Sequence, residues 1–202
     1  MQKEFASCGD KAEVTLQAGA VKSETVGIEG HYHVVCRDAA GNVKWEESFP
    51  NLVNAVGKQL MLDTLLRTSG TYTTTGPYLG LIATTSPTFG TGSDTMTSHA
   101  GWTEFVNYTV GGSAVRGTAV FAASTSSGST PSNVTTSTAT AITYTMTGSA
   151  TVYGCFLVTG AGAVSTLSST AGTLYSEGNF STAKTVTSGD TVTVTFSTTA
   201  TS

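Results

Sequence analysis

Ala139-Thr140-Ala141-Ile142-Thr143-Tyr144-Thr145-Met146-Thr147 is the stretch on which the fold class turns. In an extended chain Ile142, Tyr144 and Met146 share one face, and Ala141, Thr143 and Thr145 share the other. Thr is β-branched and stiff at χ1, so a Thr-rich alternation suits a strand with one buried face. Just downstream, Ala150 to Thr159 is a near-continuous apolar run, the pattern of a strand covered on both sides. Thr191 to Phe196 alternates again, with Val192, Val194 and Phe196 against Thr. Tyr78 to Ala83, Trp102 to Val110, Ala114 to Ala123 and residues 172 to 177 read as further strands. The intervening segments 84 to 101 and 124 to 137 are rich in Ser, Thr, Gly and Pro and read as loops.

Upstream of residue 78 the pattern changes. His31 to Arg37 and Val43 to Phe49 read as two strands joined by a turn over Asp38-Ala39-Ala40-Gly41-Asn42, which makes a hairpin over 31–49. The single good helix is expected over 51–68. Asn51 is its expected N-cap and Gly70 its expected stop, with Leu52, Val53, Val56, Leu60, Leu62, Leu65 and Leu66 forming a stripe that would pack on a sheet. Nine strands and one helix give a mainly β protein. The expected architecture is a two-sheet antiparallel β-sandwich, jelly-roll-like, with one flanking helix and an N-terminal arm. The arm is placed at 1–27 and the sandwich domain at 28–202.

The chain has 202 residues, 39% hydrophobic and only 11% charged, with a net charge of -4. At this length a single core buries roughly 70% of the surface exposed by the unfolded chain, so no metal or disulfide staple is required. Thr and Ser together supply 63 positions. Disorder is disfavoured, because disordered chains are usually highly charged and poor in the aromatics that here alternate with Thr. With only nine Lys and Arg, the sequence lacks the clustered positive charge of a nucleic-acid surface. No apolar run of about 18 residues exists for a membrane span, and no signal peptide is visible at Met1 to Cys8. Cys8, Cys36 and Cys155 form no CxxC pair, which fits reduced thiols. Charge is uneven: residues 68–202 carry only Asp94, Glu104, Arg116, Glu177, Lys184 and Asp190.

His31 and His33 share a strand face and could reach one ion. A cupin-like H-x-H site also needs a nearby Glu and a third His on a later strand. Here Asp38, Glu46 and Glu47 are loosely placed and the remaining His99 lies in a loop, so the pair reads as two half-exposed strand histidines. Asp94, Ser98 and His99 are the residue types of a hydrolase triad, but no G-x-S-x-G elbow presents Ser98, and a hydrogen-bonded turn is the simpler reading. Glu46 and Glu47 face opposite ways as strand neighbours and cannot form a glycosidase pair. Asp190 reads as a turn residue. Gly160-Ala161-Gly162 lacks the Lys and following helix of a phosphate loop. The N-x-S/T triplets at Asn107, Asn133 and Asn179 follow from the Ser/Thr content. The expectation is therefore a non-enzyme with no catalytic, cofactor-binding or metal residues and no cofactor.

From about residue 49 onward the chain resembles a family of tailed-bacteriophage virion structural proteins. The resemblance is carried, in order, by Asn51-Leu52-Val53 with Val56-Gly57-Lys58, then Tyr78-Leu79-Gly80-Leu81-Ile82. The most specific piece is Asp94-Thr95-Met96-Thr97-Ser98-His99-Ala100-Gly101-Trp102-Thr103-Glu104, followed by Arg116. Val152 to Val158, Gly172 to Ser176 and Gly189 to Val194 complete it. It covers about three quarters of the chain and implies no catalytic residues. It implies a capsid decoration (cement) protein on the outer surface of the viral capsid, made in the host cytoplasm. Its partners would be the major capsid protein and itself as a homodimer or homotrimer, with no nucleic acid and no membrane. The alternative is a tail or tail-fibre component involved in host attachment. Residues 1–48 are the expected capsid contact and the sandwich the expected self-interface.

Overall fold

The structure is a computed structural model and describes residues 27–67, 75–83, 94–99, 101–124, 132–134 and 141–201. The strands are β1 (Gly27–Arg37), β2 (Val43–Pro50), β3 (Leu52–Val53), β4 (Tyr78–Ile82), β5 (Glu104–Phe105), β6 (Tyr108–Thr109), β7 (Gly117–Thr118), β8 (Ser132–Val134), β9 (Ile142–Met146), β10 (Ala150–Thr159), β11 (Thr173–Val186) and β12 (Thr191–Thr201). One helix, α1 (Ala55–Leu66), follows β3.

The strands form two antiparallel sheets. The first runs β2-β1-β12-β9-β6, with β8 also on β12; the second runs β3-β11-β10-β4-β5, with β7 also on β4. The chain is mainly β, a sandwich of two sheets around one main core. That core is built from the inward residues of β1, β9 and β12, such as Tyr32, Val34, Tyr144, Val192 and Phe196. Leu79, Leu81, Cys155 and Leu157 face them from the second sheet. Two buried tyrosines tie the layers together. Tyr32 Oη and Ser176 Oγ lie 3.2 Å apart, and Tyr144 Oη donates to the Leu79 carbonyl at 2.9 Å. Burial raises both phenols well above their ordinary pKa, so they stay protonated and able to donate.

The alternation in β9 is realised: Ile142, Tyr144 and Met146 are buried while Thr143 and Thr145 are exposed. The hairpin forms as read, though β1 begins at Gly27 rather than His31. Asp38 holds its turn by accepting from the backbone N–H groups of Ala40 and Asn42. Apart from Gly27, the arm read over 1–27 lies outside the described residues, as do Cys8 and Gly70. Cys36 and Cys155 are buried free thiols. Burial, reinforced by the nearby Asp190 carboxylate, pushes Cys36 up to about 11, and burial raises Cys155 further.

Several sequence expectations are corrected. Trp102 to Val110 is not one strand. β5 belongs to the second sheet and β6 to the first, and the exposed Val106 and Asn107 lie between them. Ala114 to Ala123 contributes only β7, and the loop read over 124–137 contains β8, paired with β12. The strand read over 172–177 continues to Val186 as β11. The helix starts at Ala55 with Asn54, not Asn51, at the N-cap. Leu52 and Val53 instead pair with Glu177 and Ser176 on β11. The helix packs on β11, with Tyr175 Oη donating to Met61 Sδ, but only part of its stripe is covered: Gly57 is its buried residue, while Leu62, Leu65 and Leu66 are 59%, 75% and 73% exposed. The buried contact is a close approach at Gly57, where a Cβ would sit 2.6 Å from the Tyr175 carbonyl oxygen.

A second close approach shapes the β10–β11 pair, whose register shifts between Val152 and Gly154. A Cβ on Gly154 would lie 2.1 Å from the Gly178 carbonyl oxygen and 2.8 Å from the Asn179 Cα. Both are backbone atoms that cannot swing aside. Gly154→Ala is expected to lower stability by roughly 1–3 kcal/mol through overpacking. Urea denaturation measures this directly; an unchanged midpoint would show that the bulge absorbs the methyl group.

Candidate functional site

The outer face of the second sheet carries a small core of its own, formed by Ile82, Met96, Trp102, Phe156, Val158 and Leu174, with Ala163 at its side. Phe156 pairs with Gly80 on one side and Glu177 on the other. Gly80 leaves room for the Phe156 ring, which would stand 2.3 Å from a Cβ there. Trp102 rests on Phe156 at 4.9 Å between ring centroids. His99 stacks on Trp102 at 3.8 Å and 18°, and its Nδ1 lies 3.1 Å from the Trp102 carbonyl oxygen. The loop over 94–99 turns through reciprocal backbone bonds between Thr95 and Ser98, at 3.0 and 3.2 Å.

Two carboxylates enter this apolar layer in different ways. Glu104 meets Arg116 in a two-pronged ion pair: Nε donates to Oε1 at 2.8 Å and Nη2 to Oε2 at 2.7 Å. Arg116 also donates to the carbonyls of Val164 and Ser169, and its guanidinium lies 5.2 Å from the Phe156 ring centroid. The Ser168 N–H donates to Glu104 Oε2 at 2.7 Å, with Ser168 held at φ 58°. A bidentate, charge-assisted pair with these extra partners is a strong anchor. It fastens the segment after β10 to the sheet. A cleft of about 240 Å³ opens beside it, lined by Met96, His99, Trp102, Glu104, Arg116 and Ser168 among others.

Among the described residues, Glu177 has no such cation. It is fully buried and accepts one hydrogen bond, from the Trp102 indole at 2.7 Å. Burial pushes its pKa up to about 7; the Trp102 donor opposes this, the Asp94 carboxyl beside it pushes further up, and Asn54 pulls down. Glu177 Oε1, Asp94 Oδ2 and both polar atoms of the Asn54 side chain are buried without a hydrogen-bond partner. Asn54 occupies the N-cap position but makes no side-chain cap. Its backbone N–H donates to the Tyr175 carbonyl at 2.9 Å, which fixes the start of α1 against β11.

Most of the residues singled out in sequence have other partners. Asp94 and His99 are divided, Asp94 beside Glu177 and His99 on Trp102, while Ser98 closes the loop's turn. His31 and His33 lie on the solvent side of β1, where His33 Nδ1 meets Ser48 Oγ at 3.0 Å and Nε2 meets Glu46 at 3.5 Å. Among the described residues, no three His, Cys, Asp or Glu side chains are grouped to hold a metal. Glu47 turns away from Glu46 and pairs with Lys184 at 2.7 Å. Asp190 sits in the β11–β12 turn as read, but it is buried and pairs with Lys44 at 2.5 Å. Gly160 and Gly162 hold a turn at positive φ. Asn107 and Asn179 are exposed, and the Asn133 side chain lies outside the described residues. No described helix is long and apolar enough to cross a membrane.

What residue-by-residue reasoning missed is Glu177, with Asn54 and Trp102 around it. The available signal was scarcity: a lone Glu inside Thr173-Leu174-Tyr175-Ser176-Glu177-Gly178, in a region with six charges, is an expensive residue to bury without a reason. Residues from the segments that carry the resemblance, Ile82, Trp102, Phe156 and Leu174, with Arg116 against Phe156, meet in this one layer. Comparison with protein families, with curated proteins and with solved structures finds no match to the chain.

Proposed function

We propose that this chain is a non-enzymatic phage virion structural protein, a capsid decoration (cement) protein. It binds the outer surface of the major capsid protein shell and stabilises the head. The family reading rests on the ordered segments quoted above. The structural observation that supports an interaction role is the apolar side of α1. Leu62, Leu65 and Leu66 stand exposed, next to an apolar groove of about 210 Å³ lined by Leu60, Met61, Leu65 and Tyr175 among others. Contiguous apolar surface of this kind marks protein–protein contact. The mechanism is added buried interface rather than catalysis: each copy bridges shell subunits, and self-association into a dimer or trimer repeats the contact by symmetry. The sandwich suits this work because four of its six late charges, Glu104, Arg116, Lys184 and Asp190, are consumed by ion pairs.

The test is copy number in purified virions, by gel densitometry against the major capsid protein. Near one copy per capsid subunit is the expected result. About a dozen copies or fewer, the number set by a tail or its fibres, would replace this reading with the tail component involved in host attachment. Absence from virions would overturn both.

A further inference from the structure

We propose that Asp94, Glu177 and Asn54 form a buried calcium site that ties the 94–99 loop and the start of α1 to β11. Three buried oxygens come from three separate elements, with Asp94 and Asn54 both beside the Glu177 carboxyl. Asp94 Oδ2 comes from the loop, Glu177 Oε1 from β11 and Asn54 Oδ1 from the helix N-cap, and each is buried with no hydrogen-bond partner. Asn54 and Glu177 are both 0% exposed. Native proteins leave few such groups unsatisfied, and each calls for an explanation. Asn54 is the more telling because an N-cap Asn ordinarily bonds its own helix. Here it makes no cap and lies beside the Glu177 carboxyl instead.

Charge points the same way. Asp94 and Glu177 are adjacent carboxyls in an apolar layer of Trp102, Phe156 and Met96. The cations that this sandwich draws inward are committed elsewhere: Arg116 to Glu104, Lys44 to Asp190 and Lys184 to Glu47. His99 is held by Trp102. A divalent cation supplies the missing countercharge. The donors are all hard oxygens, with no thiolate or imidazole, which selects calcium or magnesium over zinc. Calcium fits better, because it accepts an irregular donor set, whereas magnesium demands near-ideal octahedral geometry and keeps several waters. Bound calcium would join residues at least forty apart in sequence and so act as a structural staple.

Trp102 provides a direct readout, since its indole nitrogen is 2.7 Å from Glu177 Oε2. Terbium, a luminescent stand-in for calcium, should emit when the protein is excited through tryptophan, and calcium should quench that emission by competition. Emission should vanish in Glu177→Gln and in Asp94→Asn. It should persist in Trp45→Phe, because Trp45, the other tryptophan, sits on the hairpin and donates to the Thr185 carbonyl. In parallel, about 1 mM calcium should raise the melting temperature of the wild type by a few degrees over EDTA, as expected for a site of roughly 0.1 mM affinity. Neither variant should show that shift, while a cooperative melt in EDTA confirms that each is folded. Absence of sensitised emission in the wild type overturns the proposal, as does emission or a calcium shift that survives in both variants.

Discussion

Replacing Arg116 with methionine is expected to cost about 3–5 kcal/mol, the usual penalty for removing one partner of a buried ion pair. The guanidinium side chain is fully buried and makes both prongs of the contact with Glu104. Methionine retains much of the volume and the packing on Phe156, so the loss isolates the charge. Glu104 would be left with the Ser168 N–H, and the carbonyls of Val164 and Ser169 would lose their donor. The paired variant Arg116→Met with Glu104→Gln should recover a large share of the loss, because the uncompensated carboxylate is then gone. Urea denaturation at constant m-value is the measurement. A single-variant loss below about 1 kcal/mol would show that water reaches Glu104 when Arg116 is absent, and that the pair is not the anchor of the layer.

How much of this was legible in the sequence depends on whether a signal was local. The alternation of Ile142, Tyr144 and Met146 lies within five residues and is fully expressed in β9. The Asp38 to Asn42 turn likewise carries its own chemistry in the Asp38 side chain. Trp102 to Tyr108 misleads for a topological reason. Its apolar periodicity is continuous, but the chain leaves one sheet after Phe105 and joins the other at Tyr108. The strand expected over 172–177 stops short of Gly178-Asn179. The chain instead continues through it, with Gly178 packed under Pro50 and Phe49. Asn51 and Asn54 are equally good N-caps by type; strand pairing of Leu52 and Val53 to β11 decides between them. The candidate site was hidden in the same way. Trp102 meets Glu177 across 75 residues, and no local pattern encodes that contact. Only the scarcity of charge after residue 67 marks its members.

Glu177→Gln is expected to stabilise the protein at alkaline pH, which is unusual for a substitution at a buried polar site. Gln keeps the shape and can still accept the Trp102 indole hydrogen bond, while it removes a charge that has no countercharge among the described residues. The sign follows from linkage. Burial raises the folded-state pKa of Glu177 from 4.5 to about 7, so the folded state holds a proton that the unfolded chain releases at lower pH. Its contribution to stability is fully present below pH 4.5 and is lost as pH rises through 7. In EDTA the wild type should therefore weaken between about pH 4.5 and 7.5, by up to roughly 3 kcal/mol from this group. Glu177→Gln should remove that part of the slope and be the more stable protein at pH 8.5. The groups that titrate in the opposite sense, Asp38, Glu47 and Asp190, are held below their ordinary values. Asp38 is held by Asn42; for Glu47 and Asp190 burial works against the shift, and hydrogen bonds from Lys184 and Lys44 outweigh it. Their contributions fade only under acid and leave this window clear. Calcium sharpens the contrast, because a cation on the pair competes with the proton and flattens the wild-type profile toward that of the variant. If the two proteins show parallel stability profiles in EDTA across this range, Glu177 is hydrated in the folded state and its burial has no energetic consequence.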